Sequence, residues 1–188
     1  TLYEVLPHHC FSSMKRFLPL VVLLILTSCE QVEQVQERFR DMTPYEAYQE
    51  SLKEAGLSET ALALDWNRAG EAAIQQPSPV SLPFQEQGLI TAEEPGAAAY
   101  RLTVPRGRRL TAEVNFASEM GTRIFVDLFR VAADEKDPPR QVLSTDSAPG
   151  PFIHEPRREG DFILRLQPEL LRGGQYTITL KLEAQLAF

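Results

Sequence analysis

The spacing of apolar residues changes period once along this chain, and that change constrains the fold more than any other feature. Before "QQPSPV" (75–80) the period is helical, and after it side chains alternate. Leu110, Ala112, Val114 and Phe116 alternate with polar residues, as do Tyr176, Ile178, Leu180 and Leu182 in "QYTITLKLE". A period of two puts every second side chain on one face, the mark of strands with one wet side. "RIFVDLFRV" (123–131) is apolar on both faces apart from Asp127 and reads as a central strand. Further strands are predicted at 80–84, 99–104, 140–145, 152–155 and 161–166. Breaks fall at Pro105-Arg106-Gly107, Asp137-Pro138-Pro139, Ala148-Pro149-Gly150-Pro151 and Arg172-Gly173-Gly174. Short strands with turns about every ten residues and no helices between them predict a mainly β fold, an antiparallel β-sandwich of jelly-roll type.

A helical hairpin is predicted ahead of the sandwich, over 43–77. Thr43-Pro44-Tyr45-Glu46 reads as a capping box with proline at the first helical position. Tyr45, Tyr48, Leu52 and Ala55 form a stripe at helical spacing, which Gly56 ends. Ser58 is expected to cap the second helix, with Leu57 and Leu62 as a hydrophobic staple and Leu62, Trp66, Ala69 and Ala73 as its buried stripe. Pro77 stops it. Aromatic residues at this spacing are more often core than a sugar-stacking platform, although Trp66 is retained as a candidate ligand-surface residue.

The other end of the chain bears on compartment. Met14 is followed by Lys15, Arg16 and a short apolar run ending "LILTSCEQ" (24–31). Positive charge, apolar run and small residues are the layout of a secretory signal, and the run is too short to span a bilayer comfortably. Leu26-Thr27-Ser28-Cys29 resembles a bacterial lipobox, which implies cleavage before Cys29, acylation of its sulfur and a membrane partner through that lipid. Residues 1–13 read as upstream extension, 14–28 as signal, 29–42 as tether or weak helix, and 78–188 as the sandwich. On this reading "HHC" (8–10) is absent from the working protein, and no thiol remains for a disulfide. Dropping Glu4, Lys15 and Arg16 takes the 19 basic and 26 acidic residues to 17 and 25, a net charge of −8. That balance disfavours nucleic acid, which wants a basic face. It suits a body beside an anionic cell envelope, outside the cytoplasm.

No catalytic motif stands out. His154 is the one histidine left after residue 28, which excludes metal sites needing two. A triad of His154 with Ser144 and Asp146 lacks a G-x-S-x-G elbow. Glu93-Glu94 reads as a solvated loop, as does the acidic stretch of Asp134, Glu135 and Asp137. No cofactor is predicted. "RGRR" (106–109) and Arg157-Arg158 sit at turns, where long cations keep sheet edges soluble. Their alternative use is gripping anionic glycan or lipid headgroups, which makes Arg106, Arg108 and Arg109 candidate ligand-surface residues.

Gly160-Asp161-Phe162-Ile163-Leu164-Arg165-Leu166 and Gly174-Gln175-Tyr176-Thr177-Ile178-Thr179-Leu180 share one pattern. The pair resembles successive strands of secreted accessory sandwiches such as pre-peptidase C-terminal and carbohydrate-binding modules. Together with "TPYEAYQESLKEAGLSETALALDWNRAGEAAIQQPSPVSLPFQE", "IFVDLFRV" and "LRLQPELLRGGQYTITL", the chain resembles the N-terminal, non-catalytic region of envelope-anchored zinc metallopeptidases of the lysostaphin (LytM) type. That family carries its zinc ligands as H-x-x-x-D and H-x-H on a separate downstream domain, and neither motif occurs here. The resemblance implies a lipid-anchored, non-enzymatic accessory region that positions or shields a peptidase domain, with peptidoglycan or that domain as partner. The alternative is a free-standing envelope lipoprotein that binds glycan or a protein.

Overall fold

The computed structural model describes residues 42–117, 122–134, 136–146 and 151–185. The signal segment, Cys29 and the tether up to residue 41 lie outside them. Thr43–Phe188 forms one compact unit, so hairpin and sandwich share a body.

Helix α1 (Pro44–Glu54) opens on the predicted capping box: Glu46 N donates to Thr43 Oγ1 at 3.2 Å, and Thr43 N donates to the Glu46 carboxylate at 2.9 Å. It ends at Gly56, whose φ is +71°. Helix α2 (Ala61–Gln75) starts later than predicted. Thr60, and not Ser58, is its cap, because Thr60 Oγ1 accepts from Ala63 N at 3.3 Å while Thr60 N closes a turn onto Leu57 O. The buried residues of α2 are Ala63, Trp66 and Gly70; of the predicted stripe Trp66 is core and Ala73 packs on the sheet, while Leu62 is exposed. Leu57 and Leu62 are 44% and 40% exposed and make no staple.

Among the described residues nine strands follow: β1 (Ser78–Pro79), β2 (Phe84–Ile90), β3 (Ala98–Val104), β4 (Arg108–Ala117), β5 (Ile124–Arg130), β6 (Arg140–Asp146), β7 (Phe152–His154), β8 (Gly160–Pro168) and β9 (Gly174–Ala184). Residues 80–83 are not the strand predicted at 80–84; the strand there is β2, which begins at Phe84. Its inward positions include Glu86 and Gly88, which hides the alternation. β2 pairs antiparallel with β9, β3 with β8, β4 with β7 and β5 with β6, each pair nested inside the one before. Nested pairs rolled into two sheets give the orders β2-β9-β4-β7 and β3-β8-β5-β6, the jelly roll; β1 adds to the latter sheet, parallel to β3. The core between the sheets is filled by Tyr100, Leu102 and Val104 of β3, Ile124, Val126 and Leu128 of β5, Phe162, Leu164 and Leu166 of β8, and Tyr176, Ile178 and Leu180 of β9. The two echoed segments are β8 and β9, one in each sheet, and the aromatic residue of each, Phe162 and Tyr176, points into this core.

The five-stranded sheet is buried on its other face as well, because the hairpin lies across it. Tyr45, Tyr48 and Trp66 pack on Phe125, with Tyr45 and Trp66 stacked at 4.9 Å. Ala73 and Ile74 pack on Ala99, Phe129 and Ile163. Between the apolar contacts lies a charged layer. Asp127 is fully buried and Arg165 is 4% exposed. Arg165 donates to Asp127 Oδ2 from Nη2 at 2.6 Å and from Nε at 3.2 Å, while Gln141 Nε2 and Ser144 Oγ donate to Oδ1 at 2.8 and 2.5 Å. The guanidinium carbon stands 3.8 Å from the Tyr45 ring centroid. Every lone-pair direction of the carboxylate is thereby used, the condition under which a buried charge is tolerated. Trp66 Nε1 donates to Pro168 O, and Gln167 Nε2 donates to Trp66 O, both at 2.8 Å. Gln167 Oε1 is buried without a hydrogen-bond partner and faces Gly70, where a Cβ would collide with it. Among the described residues no helix is long and apolar enough to cross a membrane.

The charged layer sets the first prediction. Asp127→Ala strands a buried guanidinium and lowers stability by about 3–5 kcal/mol, whereas Asp127→Leu with Arg165→Met recovers most of the loss. Urea denaturation of the two variants distinguishes a paired charge from a dispensable one.

Candidate binding surface

The four-stranded sheet has no helix across its outer face among the described residues, and this asymmetry defines the candidate site. The strand registers set outward side chains in rows: Gln85, Thr179 and Glu113, then Gln87, Thr177 and Asn115, then Leu89, Gln175 and Ala117. The first two rows offer amides, hydroxyls and one carboxylate. The third turns apolar and leads into an open groove of about 470 Å³ between 89–93 and 171–175.

Two leucines mark this groove. Leu89 is 66% exposed and Leu171 54% exposed. Leu171 also has φ +57°, a left-handed conformation that costs an L-residue with a Cβ roughly 1–2 kcal/mol. The floor depends on Gly173, because a Cβ there would lie 2.6 Å from both Ala92 N and Ile90 O. Only a bare backbone lets the β8–β9 loop close on the end of β2.

Beside the groove, Tyr100 donates to Glu86 Oε1 at 2.7 Å, and the Tyr100 and Tyr176 hydroxyls are 2.8 Å apart. This relay ties β3 of one sheet to β2 and β9 of the other. Burial raises the phenol of Tyr100 well above its ordinary value near 10, with the Tyr176 and Glu86 contacts adding to it, and burial raises Tyr176 also. Tyr45 and Tyr48 beneath the hairpin are likewise raised, again mainly by burial. All four therefore serve as neutral donors and ring surfaces.

The residues singled out from sequence fall in separate places. Trp66 is 1% exposed, stacked on Tyr45 and bonded to Pro168; it is core and presents no ligand surface. Helical spacing placed its ring on the buried stripe. Arg106 lies in the β3–β4 turn and Arg108 and Arg109 begin β4, away from Trp66. Arg106 and Arg108 are exposed, but Arg109 is engaged, with Nη2 2.6 Å from Glu183 and Nη1 3.8 Å from Glu155. His154 is half-buried against Phe162 in the four-stranded sheet; burial first, and Arg130 second, hold its pKa below the ordinary value. Ser144 lies in the other sheet and is spent on Asp127, and Asp146 lies 3.7 Å from Arg123, so the three form no triad. Asp134 Oδ1 accepts from Lys136 N within the β5–β6 loop. Among the described residues no group of three His, Cys, Asp or Glu is placed to hold a metal ion. Cys29 lies outside the described residues.

Leu89, Leu171 and Glu86 were not read from sequence. Two apolar residues inside the turn "ELLRGG" (169–174) are the one signal that pointed to Leu171; Leu89 follows a strand whose alternation Glu86 and Gly88 obscure.

No family model and no curated protein matches the chain. Among solved structures it is similar to PliG of Aeromonas hydrophila, a periplasmic inhibitor of g-type lysozyme, with 13% identity over 57% of this chain and 96% of that one and a TM-score of 0.45. It is also similar to the pre-peptidase C-terminal domain of collagenase from Bacillus anthracis, with 14% identity over 56% and 95% and a TM-score of 0.43. A third is the mitogen of Yersinia pseudotuberculosis, with 13% identity over 55% and 88% and a TM-score of 0.40.

Two predictions follow from the site's geometry. Leu171→Asn relieves the left-handed strain and leaves the thermal midpoint unchanged or raises stability by up to about 1 kcal/mol. A fall of the midpoint shows instead that Leu171 is needed for packing. The tyrosines set an alkaline limit. A folded-state pKa above 10 contributes stability that is complete below pH 10 and is lost as pH rises beyond it, since the unfolded chain ionises first. Thermal melts between pH 9 and about 12 will show this fall, and Tyr100→Phe will make it shallower.

Proposed function

We propose that this chain is a non-enzymatic binding module of a bacterial cell envelope, held at a membrane by acyl chains on Cys29. Its fold-level task is to present the open face of a rigid sandwich. The observation that carries this reading is the asymmetry of the body: one sheet is sealed by the hairpin over a buried ion pair, while the other is bare and ends in a groove beside two exposed leucines. A hydrolase would need converging acid, base or nucleophile groups, and the titratable residues named above are spread over both sheets or engaged structurally. The lipobox-like segment supports the compartment. The resemblance to the accessory region of LytM-type peptidases supports peptidoglycan, or the peptidase domain working on it, as the partner. The rows of Gln85, Gln87, Asn115 and Thr177 favour a second reading, a free-standing lipoprotein that grips glycan by hydrogen bonds.

The test uses the full chain expressed in a bacterium with its own leader. Mass spectrometry is expected to find Cys29 as an acylated N-terminus, and the chain is expected to sediment with purified peptidoglycan sacculi without releasing soluble fragments when zinc is added. Leu89→Asp is expected to weaken the sedimentation about tenfold by placing a charge beside the groove. Zinc-dependent cleavage, or a bare Cys29 on a cytosolic protein, overturns the proposal. Undiminished binding by Leu89→Asp moves the contact from the groove to the amide rows.

A further inference from the structure

One end of the sandwich gathers arginines that the rest of the fold pairs off. Arg68, Arg101, Arg109, Arg123 and Arg165 each have a carboxylate within ion-pair distance. Among the described residues Arg106, Arg108, Arg157 and Arg158 have none, and all four are exposed. The strand registers bring them together. Val104 stands opposite Gly160 in one sheet and Leu110 opposite His154 in the other, so the β3–β4 turn and the β7–β8 turn lie side by side. Arg109 reaches across to Glu155, and Arg130 Nη2 donates to Glu159 O at 3.1 Å, closing the same end. Arg108 shares the inward register of Leu110 and Ala112 yet is exposed, because it lies past the last core layer on the end of the sandwich. These two turns and the strand ends beside them carry six guanidinium groups against the carboxylates of Glu155, Glu159, Asp161 and Glu183, of which Asp161 is paired with Arg101. Asp134 and Asp137 lie on the β5–β6 loop, beyond β8 from β3.

With a chain net charge of −7, this end stands against the sign of the molecule as a whole. Such a patch attracts an anionic surface locally, since charges more than about 10 Å away are screened at physiological salt. The hairpin indicates which surface. Along α1, both tyrosines pack on Phe125, but Tyr45 also covers Arg165 whereas Tyr48 contacts Leu170 and Arg123, so the helix runs away from the arginine end. Helix α1 therefore begins over the middle of the sheet. Residues 30–42 would connect that point to an acylated Cys29, and 13 residues reach at most about 45 Å when extended. A tether of that length keeps any lipid surface holding Cys29 at high effective concentration near the body.

We infer that the Arg106, Arg108, Arg157 and Arg158 turns form a docking surface for the anionic headgroups of the phospholipid membrane that anchors the chain. The inference rests on the envelope reading above for its choice of membrane. Docking there leaves the open sheet face standing across the membrane plane and free for its partner.

The experiment removes the anchor so that headgroup binding is read alone. The chain from residue 29 onward, carrying Cys29→Ser, is sedimented with vesicles of equal parts phosphatidylglycerol and phosphatidylcholine, and with vesicles of phosphatidylcholine alone. Binding is expected with the anionic vesicles only, and is expected to vanish at high salt. The joint variant Arg106→Gln, Arg108→Gln, Arg157→Gln, Arg158→Gln is expected to lose tenfold or more of that binding with an unchanged melting curve, while Lys53→Gln with Arg68→Gln on the hairpin loses none. Equal binding by the arginine variant and its parent overturns the inference, as does absence of binding to the anionic vesicles. Capture of soluble polyphosphate with no vesicle binding assigns the patch to a free polyanion and overturns it also. A bare Cys29 in the earlier mass spectrum fails the anchor without touching this result, so the two failures are distinguishable.

Discussion

The buried contact between Asp127 and Arg165 is the constraint on which the rest of the body depends. Two charges lie between a sheet and a helical hairpin, away from water, and neither is tolerable without the other. The pair is held in a cage: Gln141 and Ser144 complete the carboxylate, and the Tyr45 ring covers the guanidinium. The hairpin supplies that cover, so removing it would expose Phe125 and Phe129 as well as the charges. Among the described residues, the hairpin covers the five-stranded sheet and no helix crosses the outer face of the four-stranded sheet.

The two faces differ in chemistry for that reason. Beneath the hairpin, polar groups are matched in detail: Trp66 to Pro168, Gln167 to Trp66, and Tyr48 to the backbone of Leu170. On the open sheet, the amides and hydroxyls of Gln87, Asn115 and Thr177 face solvent, and nothing in the fold obliges Leu89 and Leu171 to be apolar. An exposed leucine by itself is ordinary. An exposed leucine held at φ +57° beside a groove is less so, because relief was available through glycine or asparagine.

Much of this architecture was legible beforehand. The capping box of Thr43 and Glu46 was visible because both partners lie within one helical turn. Strands β4, β5 and β9 were visible because each alternates, or is apolar on both faces, over seven residues or more. β2 was missed for a local reason: its inward positions hold Glu86, which bonds across the sandwich to Tyr100, and Gly88, which yields its place to the Tyr176 ring. Asp127 stood out as the single charge in an apolar strand, but its partner Arg165 is 38 residues away and reads as an ordinary polar position. Trp66 read both as core and as a candidate surface, and only its neighbours decide between them.

The sequence by itself determined the element types, the hairpin and the two-sheet plan, because those follow from spacing along a few turns or strands. It also determined that histidine and cysteine are too scarce after residue 28 for a two-histidine metal site. Tertiary structure alone decided which sheet the hairpin covers, that Asp127 meets Arg165, and that the arginines of two distant turns share one end. The physical reason is the nested pairing of the roll. It brings together residues 40 to 96 positions apart whose identities carry no mark of one another until the sheets close.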